Sequence, residues 1–98
     1  MKEISPSEVE QLVQNGGNAK IVDVRESFEV QMGKIPGAIH IPLKLLEFRM
    51  HELDKGEEYI LVCHSGTRSA LATRFLDYHG YNVKNMTGGM LAWQGPIE

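Results

Sequence analysis

The sequence contains one cysteine, Cys63, placed where the apolar run of Ile60, Leu61 and Val62 stops and a small polar loop begins. A lone cysteine is more often an inert core residue than a nucleophile, so the residues after it must decide. They read His64, Ser65, Gly66, Thr67, Arg68 and Ser69, and lead straight into a helix-forming stretch. Gly66 can take positive φ, which lets successive backbone N–H groups turn inward as an anion-binding nest. The helix that follows adds partial positive charge at its N-terminus. Arg68 stands at that same N-terminus, where the helix dipole disfavours a cation, so its position points to the service of an anion. A thiol so placed should have its pKa drawn from about 8.5 into the range of roughly 3.5 to 7.5 and be thiolate at neutral pH. The expected chemistry is nucleophilic attack by Cys63, with an anionic substrate or adduct held by the loop without metal or cofactor.

Other residues are weaker candidates. Asp23 and Arg25 close the first apolar strand; a structural ion pair is the simplest reading, and the alternative is that Arg25 holds a substrate or that Asp23 orients Arg68. His64 is the nearest titratable neighbour of the thiol, either tuning it or facing solvent. His40, His51 and His79 lack partners at metal-ligand spacing. Trp93 reads as a core or edge anchor near the rim of the site. With one cysteine there is no internal disulfide and no intramolecular dithiol route, so sulfur chemistry would need an external thiol to finish it.

These groups need a scaffold. Ser5, Pro6 and Glu8 form a helix start with a capping box, followed by Val9, Leu12 and Val13 at helical spacing until Asn15, Gly16 and Gly17. Residues 19–24 (AKIVDV) and 58–63 (EYILVC) are short apolar runs that suit buried strands. Between them lie a helical turn at 26–32, a Pro36-Gly37 turn, a short strand at Ile39–Ile41 and a helix through Leu45, Leu46, Phe48, Met50 and Leu53. A strong helix follows the loop, with Ala70, Leu71, Arg74, Phe75 and Tyr78 at helical steps and Gly80 as its stop. Residues 81–86 supply a last strand and Gly88 to Trp93 a terminal turn or helix. Alternating strands and helices with short connections predict an α/β fold, a mostly parallel sheet with helices on both faces. In such a sheet, loops at the carboxyl ends of strands form the binding site, and Cys63 stands at one.

The 98 residues suit one domain spanning residues 1–98. A formal charge of −3 with no basic run argues against nucleic acid or an anionic membrane as partner. The absence of a signal-like or membrane-spanning apolar stretch, together with the single cysteine, predicts a soluble cytoplasmic protein.

The sequence resembles the rhodanese family, sulfurtransferases that carry sulfane sulfur as a cysteine persulfide. The resemblance rests on DVRE (Asp23 to Glu26), GKIPGAIHIP (Gly33 to Pro42), CHSGTRS (Cys63 to Ser69) and GGMLAW (Gly88 to Trp93), in order and spacing. One departure is Lys34, where the family commonly has His; its effect is expected at the neighbouring turn rather than on the sulfur. The resemblance implies a rhodanese-like fold with Cys63 as the catalytic residue, taking sulfur from thiosulfate or a related persulfide and passing it to cyanide or a thiol. It implies that His64, Ser65, Gly66, Thr67, Arg68 and Ser69, with Arg25, bind the anionic donor, and that a sulfur-relay protein is a possible partner. Related cysteine phosphatases place five residues between Cys and Arg around a phosphate. Here four intervene, a ring better sized for sulfur. Non-catalytic members of the fold usually lose the loop cysteine, whereas Cys63 and Arg68 are both present.

Overall fold

Strand-forming and helix-forming segments alternate along the chain, and in the computed structural model, which describes residues 1–17 and 19–98, they build one sheet covered on both faces. The elements are β1 (Glu3–Ile4), α1 (Pro6–Gln14), β2 (Lys20–Asp23), α2 (Ser27–Val30), β3 (Ile39–His40), α3 (Leu46–Arg49), β4 (Glu58–Val62), α4 (Thr67–Tyr78) and β5 (Asn82–Met86). The strand order is β1-β5-β4-β2-β3, and every pairing is parallel.

Alternation along the strands divides the core in two. Val22, Val24 and Leu61 face a cluster with Leu46, Ala72, Leu76 and Val83, on the side covered by α3 and α4. Ile21, Ile60 and Val62 face Val9, Ile35 and Met86, on the side covered by α1. Helix α1 begins as its sequence requires: the Ser5 hydroxyl accepts from the Glu8 N–H at 3.2 Å, and the Glu8 carboxylate accepts from the Ser5 N–H at 3.2 Å.

Three expectations need correction. Strand β1 was not anticipated; two residues carry no readable alternation, and Glu3–Ile4 is a strand only because β5 offers it a free edge. The long helix expected around Leu45 to Leu53 is one turn of α-helix between two 3-10 turns, Leu43–Leu45 and Met50–Glu52. It buries Leu46 and Leu53 while leaving Phe48 exposed. Helix α4 has the expected extent but turns a different face inward. Ser69, Ala72, Thr73 and Leu76 are buried, whereas Leu71 and Tyr78 are exposed. Spacings of three and four put those residues on the face turned to the sheet, which also brings the Ser69 hydroxyl to the cysteine.

The topology places the site. From β2 the chain passes outward to β3, whereas from β4 it passes the opposite way to β5, so the loops after β2 and β4 diverge. Ligands in open parallel sheets bind at such a reversal, and Cys63 is the first residue after β4.

Candidate functional site

The loop after β4 wraps its backbone around one sulfur atom. Gly66, at φ 103°, is the N-cap of α4 and sits in the left-handed region that glycine tolerates. Its N–H donates to Cys63 Sγ at 3.0 Å, and the buried Ser69 hydroxyl donates to the same sulfur at 3.3 Å. Cys63 is itself fully buried. Burial pushes its pKa up, but the Ser69 hydroxyl and the N–H groups of Ser69, Gly66 and Ser65 outweigh burial and bring it below its ordinary value. The lowering comes from hydrogen bonds rather than from a neighbouring guanidinium. His64, Ser65 and Thr67 lie exposed on the loop, and among these hydroxyl residues Ser69 is the one whose side chain bonds the sulfur.

A second loop clamps this one from behind. After β5 the chain turns through Gly88 and Gly89 into a 3-10 turn, Gly89–Ala92. There the Met90 N–H donates to the Cys63 carbonyl at 2.8 Å and the Leu91 N–H to the His64 carbonyl at 3.0 Å. At Gly89, φ is +59°, and an added Cβ would lie 2.5 Å from the His64 carbonyl oxygen and 2.6 Å from that of Cys63. Glycine is therefore required there for two reasons, conformation and close approach. On β5, Asn85 donates an amide hydrogen bond to the Gly66 carbonyl at 3.4 Å, while its buried Oδ1 has no partner among the described residues.

Arg68 and Arg25 are placed differently from what was expected. Both guanidinium ends of Arg68 donate to Glu29, from α2, at 2.7 Å each. Hydrogen bonding to Arg68 holds the Glu29 carboxyl down at about 2 against its burial. The anion that Arg68 serves is therefore a side chain of the protein itself. Arg25 is buried and heavily bonded: Nε and Nη2 donate to Asp23 at 2.8 to 3.1 Å, Nη2 to the Gly33 carbonyl at 2.8 Å and Nη1 to the Glu29 carbonyl at 3.3 Å. Asp23 thus orients Arg25 rather than Arg68, in the structural ion pair that the sequence suggests, and Arg25 also lines the groove beside the loop. Lys34 acts at its turn, as expected: Nζ reaches Glu98 Oε1 at 2.6 Å, and the same carboxylate accepts from the Gly37 N–H at 2.8 Å.

Beside the loop lies an open groove of about 600 Å³ lined by Arg25, Glu29 and His64 together with apolar side chains. Trp93 lines it too, anchored by its indole N–H on the Pro96 carbonyl at 2.9 Å. Among the described residues no cluster of His, Cys, Asp or Glu has the arrangement of a metal site, and no helix is long and apolar enough to cross a membrane.

A family model for the rhodanese-like domain matches residues 5–96. The chain belongs to the rhodanese-like domain family. YtwF of Bacillus subtilis is 39% identical over 98 residues, covering 100% of this chain and 95% of that protein. A sulfurtransferase of Allochromatium vinosum is 34% identical, covering 95% of this chain and 88% of its own. Among solved structures, a rhodanese-like domain protein from Staphylococcus aureus superposes with a TM-score of 0.94 at 35% identity, covering 100% of this chain and 97% of the other.

Within the rhodanese-like frame, Glu29, Asn85 and Gly89 are the residues that the sequence did not single out. Glu29 carried a faint signal, since it stands three residues after Glu26 and accepts that residue's N–H at 2.9 Å, as a capping box requires. Asn85 carried none, because its neighbour in space is nineteen residues away in sequence.

Proposed function

We propose that the protein is a sulfurtransferase in which Cys63 carries sulfane sulfur as a persulfide. The observation that carries this reading is the convergence on one buried sulfur of the Gly66 N–H at 3.0 Å and the Ser69 hydroxyl at 3.3 Å. Family membership supports sulfur transfer in general, and a relative of similar length is named a sulfurtransferase.

In the first step the Cys63 thiolate attacks the outer sulfur of thiosulfate or of a persulfide donor. A new S–S bond forms at Sγ, the donor's S–S bond breaks, and its electron pair leaves on sulfite or on a thiolate. Negative charge moves one atom outward, from Sγ to the terminal sulfur, beside the Gly66 N–H and the Ser69 hydroxyl that already donate to Sγ. In the second step a thiol or cyanide attacks that terminal sulfur, and Cys63 returns as thiolate. Electrons balance over the two steps, so no external oxidant or reductant takes part. A sulfur-relay protein fits either role, as donor or as acceptor.

The test is intact mass spectrometry after incubation with excess thiosulfate, then with cyanide, beside Cys63→Ser. A gain of one sulfur that cyanide removes and that the variant lacks is the expected result. A variant that still gains cyanide-removable sulfur would sink the assignment.

A further inference from the structure

Among the described residues, Arg68 and three further cations are held in ion pairs. Arg68 is held by Glu29 at 2.7 Å and Arg25 by Asp23 at 2.8 Å, with Lys34 on Glu98 and Lys44 on Glu26 at 2.6 and 3.3 Å. Of these, Arg68 alone combines a place on the sulfur loop with partial solvent access, its side chain being 34% exposed against 16% for Glu29. A free dianion approaching Cys63 would meet the Glu29 carboxylate already in the fork of Arg68, and would have to expel it into a poorly solvated position beside its own charge. The groove wall next to this pair is apolar. Phe28, Met32, Leu91 and Ile97 line it and remain 69%, 83%, 69% and 57% exposed. Large apolar side chains gathered around one groove suit an apolar ligand body better than a small, strongly hydrated ion.

We infer that Glu29 is a positioning residue that sets donor selectivity: by occupying Arg68 it disfavours dianionic thiosulfate and leaves the site to low-charge persulfides whose apolar body lies in the groove. The inference rests on the persulfide reading above and narrows its donor class. With such a donor, R–S–SH, the Cys63 thiolate bonds to the outer sulfur and the donor's S–S bond breaks. The electron pair leaves on R–S⁻, and charge is conserved without displacing Glu29.

The experiment compares the rate of sulfur loading, read by rapid quench and intact mass, with thiosulfate and with n-butyl persulfide over a range of concentrations. It uses the unmodified protein, Glu29→Gln, and Glu29→Gln combined with Arg68→Met. Gln keeps an oxygen for the Glu26 N–H, so α2 retains its cap. In the unmodified protein butyl persulfide should half-saturate at a concentration lower by about tenfold or more than thiosulfate. Glu29→Gln should lower the half-saturating thiosulfate concentration by about tenfold, the effect of exchanging a blocked cation for a free one, with the limiting rate nearly unchanged. Butyl persulfide should hardly respond, and Arg68→Met in that background should erase the gain. If the unmodified protein loads but Glu29→Gln leaves thiosulfate half-saturation unchanged or raises it, or shifts both donors alike, selectivity through Glu29 is overturned while the persulfide reading stands. Loading from neither donor would overturn both.

Discussion

Gly89→Ala should separate two costs that a glycine can hide, and Gly37→Ala is its control. Both positions have positive φ, +59° and +78°, so an alanine at either carries a left-handed penalty of about 1 to 2 kcal/mol. At Gly37 the added Cβ meets nothing within 4 Å among the described residues, and the penalty ends there. At Gly89 it would lie 2.5 Å from one carbonyl oxygen and 2.6 Å from another, so the loop after β4 must move by several tenths of an ångström. Those carbonyls accept the Met90 and Leu91 N–H groups at 2.8 and 3.0 Å, and stretching both bonds adds about 1 kcal/mol each. The expected destabilisation is therefore about 3 to 4 kcal/mol for Gly89→Ala against about 1 to 2 for Gly37→Ala. A domain of this size holds about 5 to 15 kcal/mol, so both variants stay folded at room temperature. Urea unfolding measures the difference. Sulfur loading from thiosulfate, measured on the folded variants, should fall by about tenfold or more for Gly89→Ala, because displacement of the nest misplaces its donors. Gly37→Ala should load normally. Equal stability of the two variants, or loading by Gly89→Ala within about twofold of the parent, would refute the claim that this contact positions the loop.

Two further outcomes follow from the titrating groups. Ser69→Ala removes a hydroxyl donor from Cys63 Sγ, so the Cys63 pKa should rise and the pH profile of iodoacetamide alkylation should move to higher pH; a profile that stays put or moves down would show that the Ser69 hydroxyl contributes nothing to the thiolate. Glu29 is held at about 2 instead of 4.5, worth about 3 kcal/mol before solvent screening at the one-third-exposed Arg68 trims it to about 2. Because the folded value is the lower one, this stability is complete above pH 4.5 and is lost as pH falls through about 2. Glu29→Gln should accordingly cost stability at pH 7 and much less at pH 3 in urea titrations, whereas an equal loss at both pH values would contradict the assigned pair.

The alternation of strand and helix, the capped start at Ser5 and the loop from Cys63 to Ser69 were legible in the sequence, because each is a local pattern. A capping box spans three residues, a buried strand is a short apolar run, and a nest needs only a glycine at the right step. The same locality explains why Gly66 and Ser69 could be tied to the sulfur before any fold was known, for both lie within six residues of it.

What the tertiary structure decided lies between segments distant in sequence. Glu29 and Arg68 are thirty-nine residues apart, and their pairing exists because β2 and β4 are neighbours, so that the helices following them begin on either side of the reversal in the sheet. From composition Arg68 is a free cation awaiting a substrate; in the fold its charge is already answered. Arg25, equally plausible as a ligand, is consumed by Asp23 and the Gly33 carbonyl. The inward face of α4 was likewise hidden, since apolar size favoured Leu71 and Tyr78 while the face that meets the sheet carries Ser69, Ala72, Thr73 and Leu76. Local propensity sets which residues can make a helix, a strand or a nest, but the partner of a buried charge and the side of a helix that meets the sheet depend on which elements become neighbours, and that is fixed only when the whole chain packs.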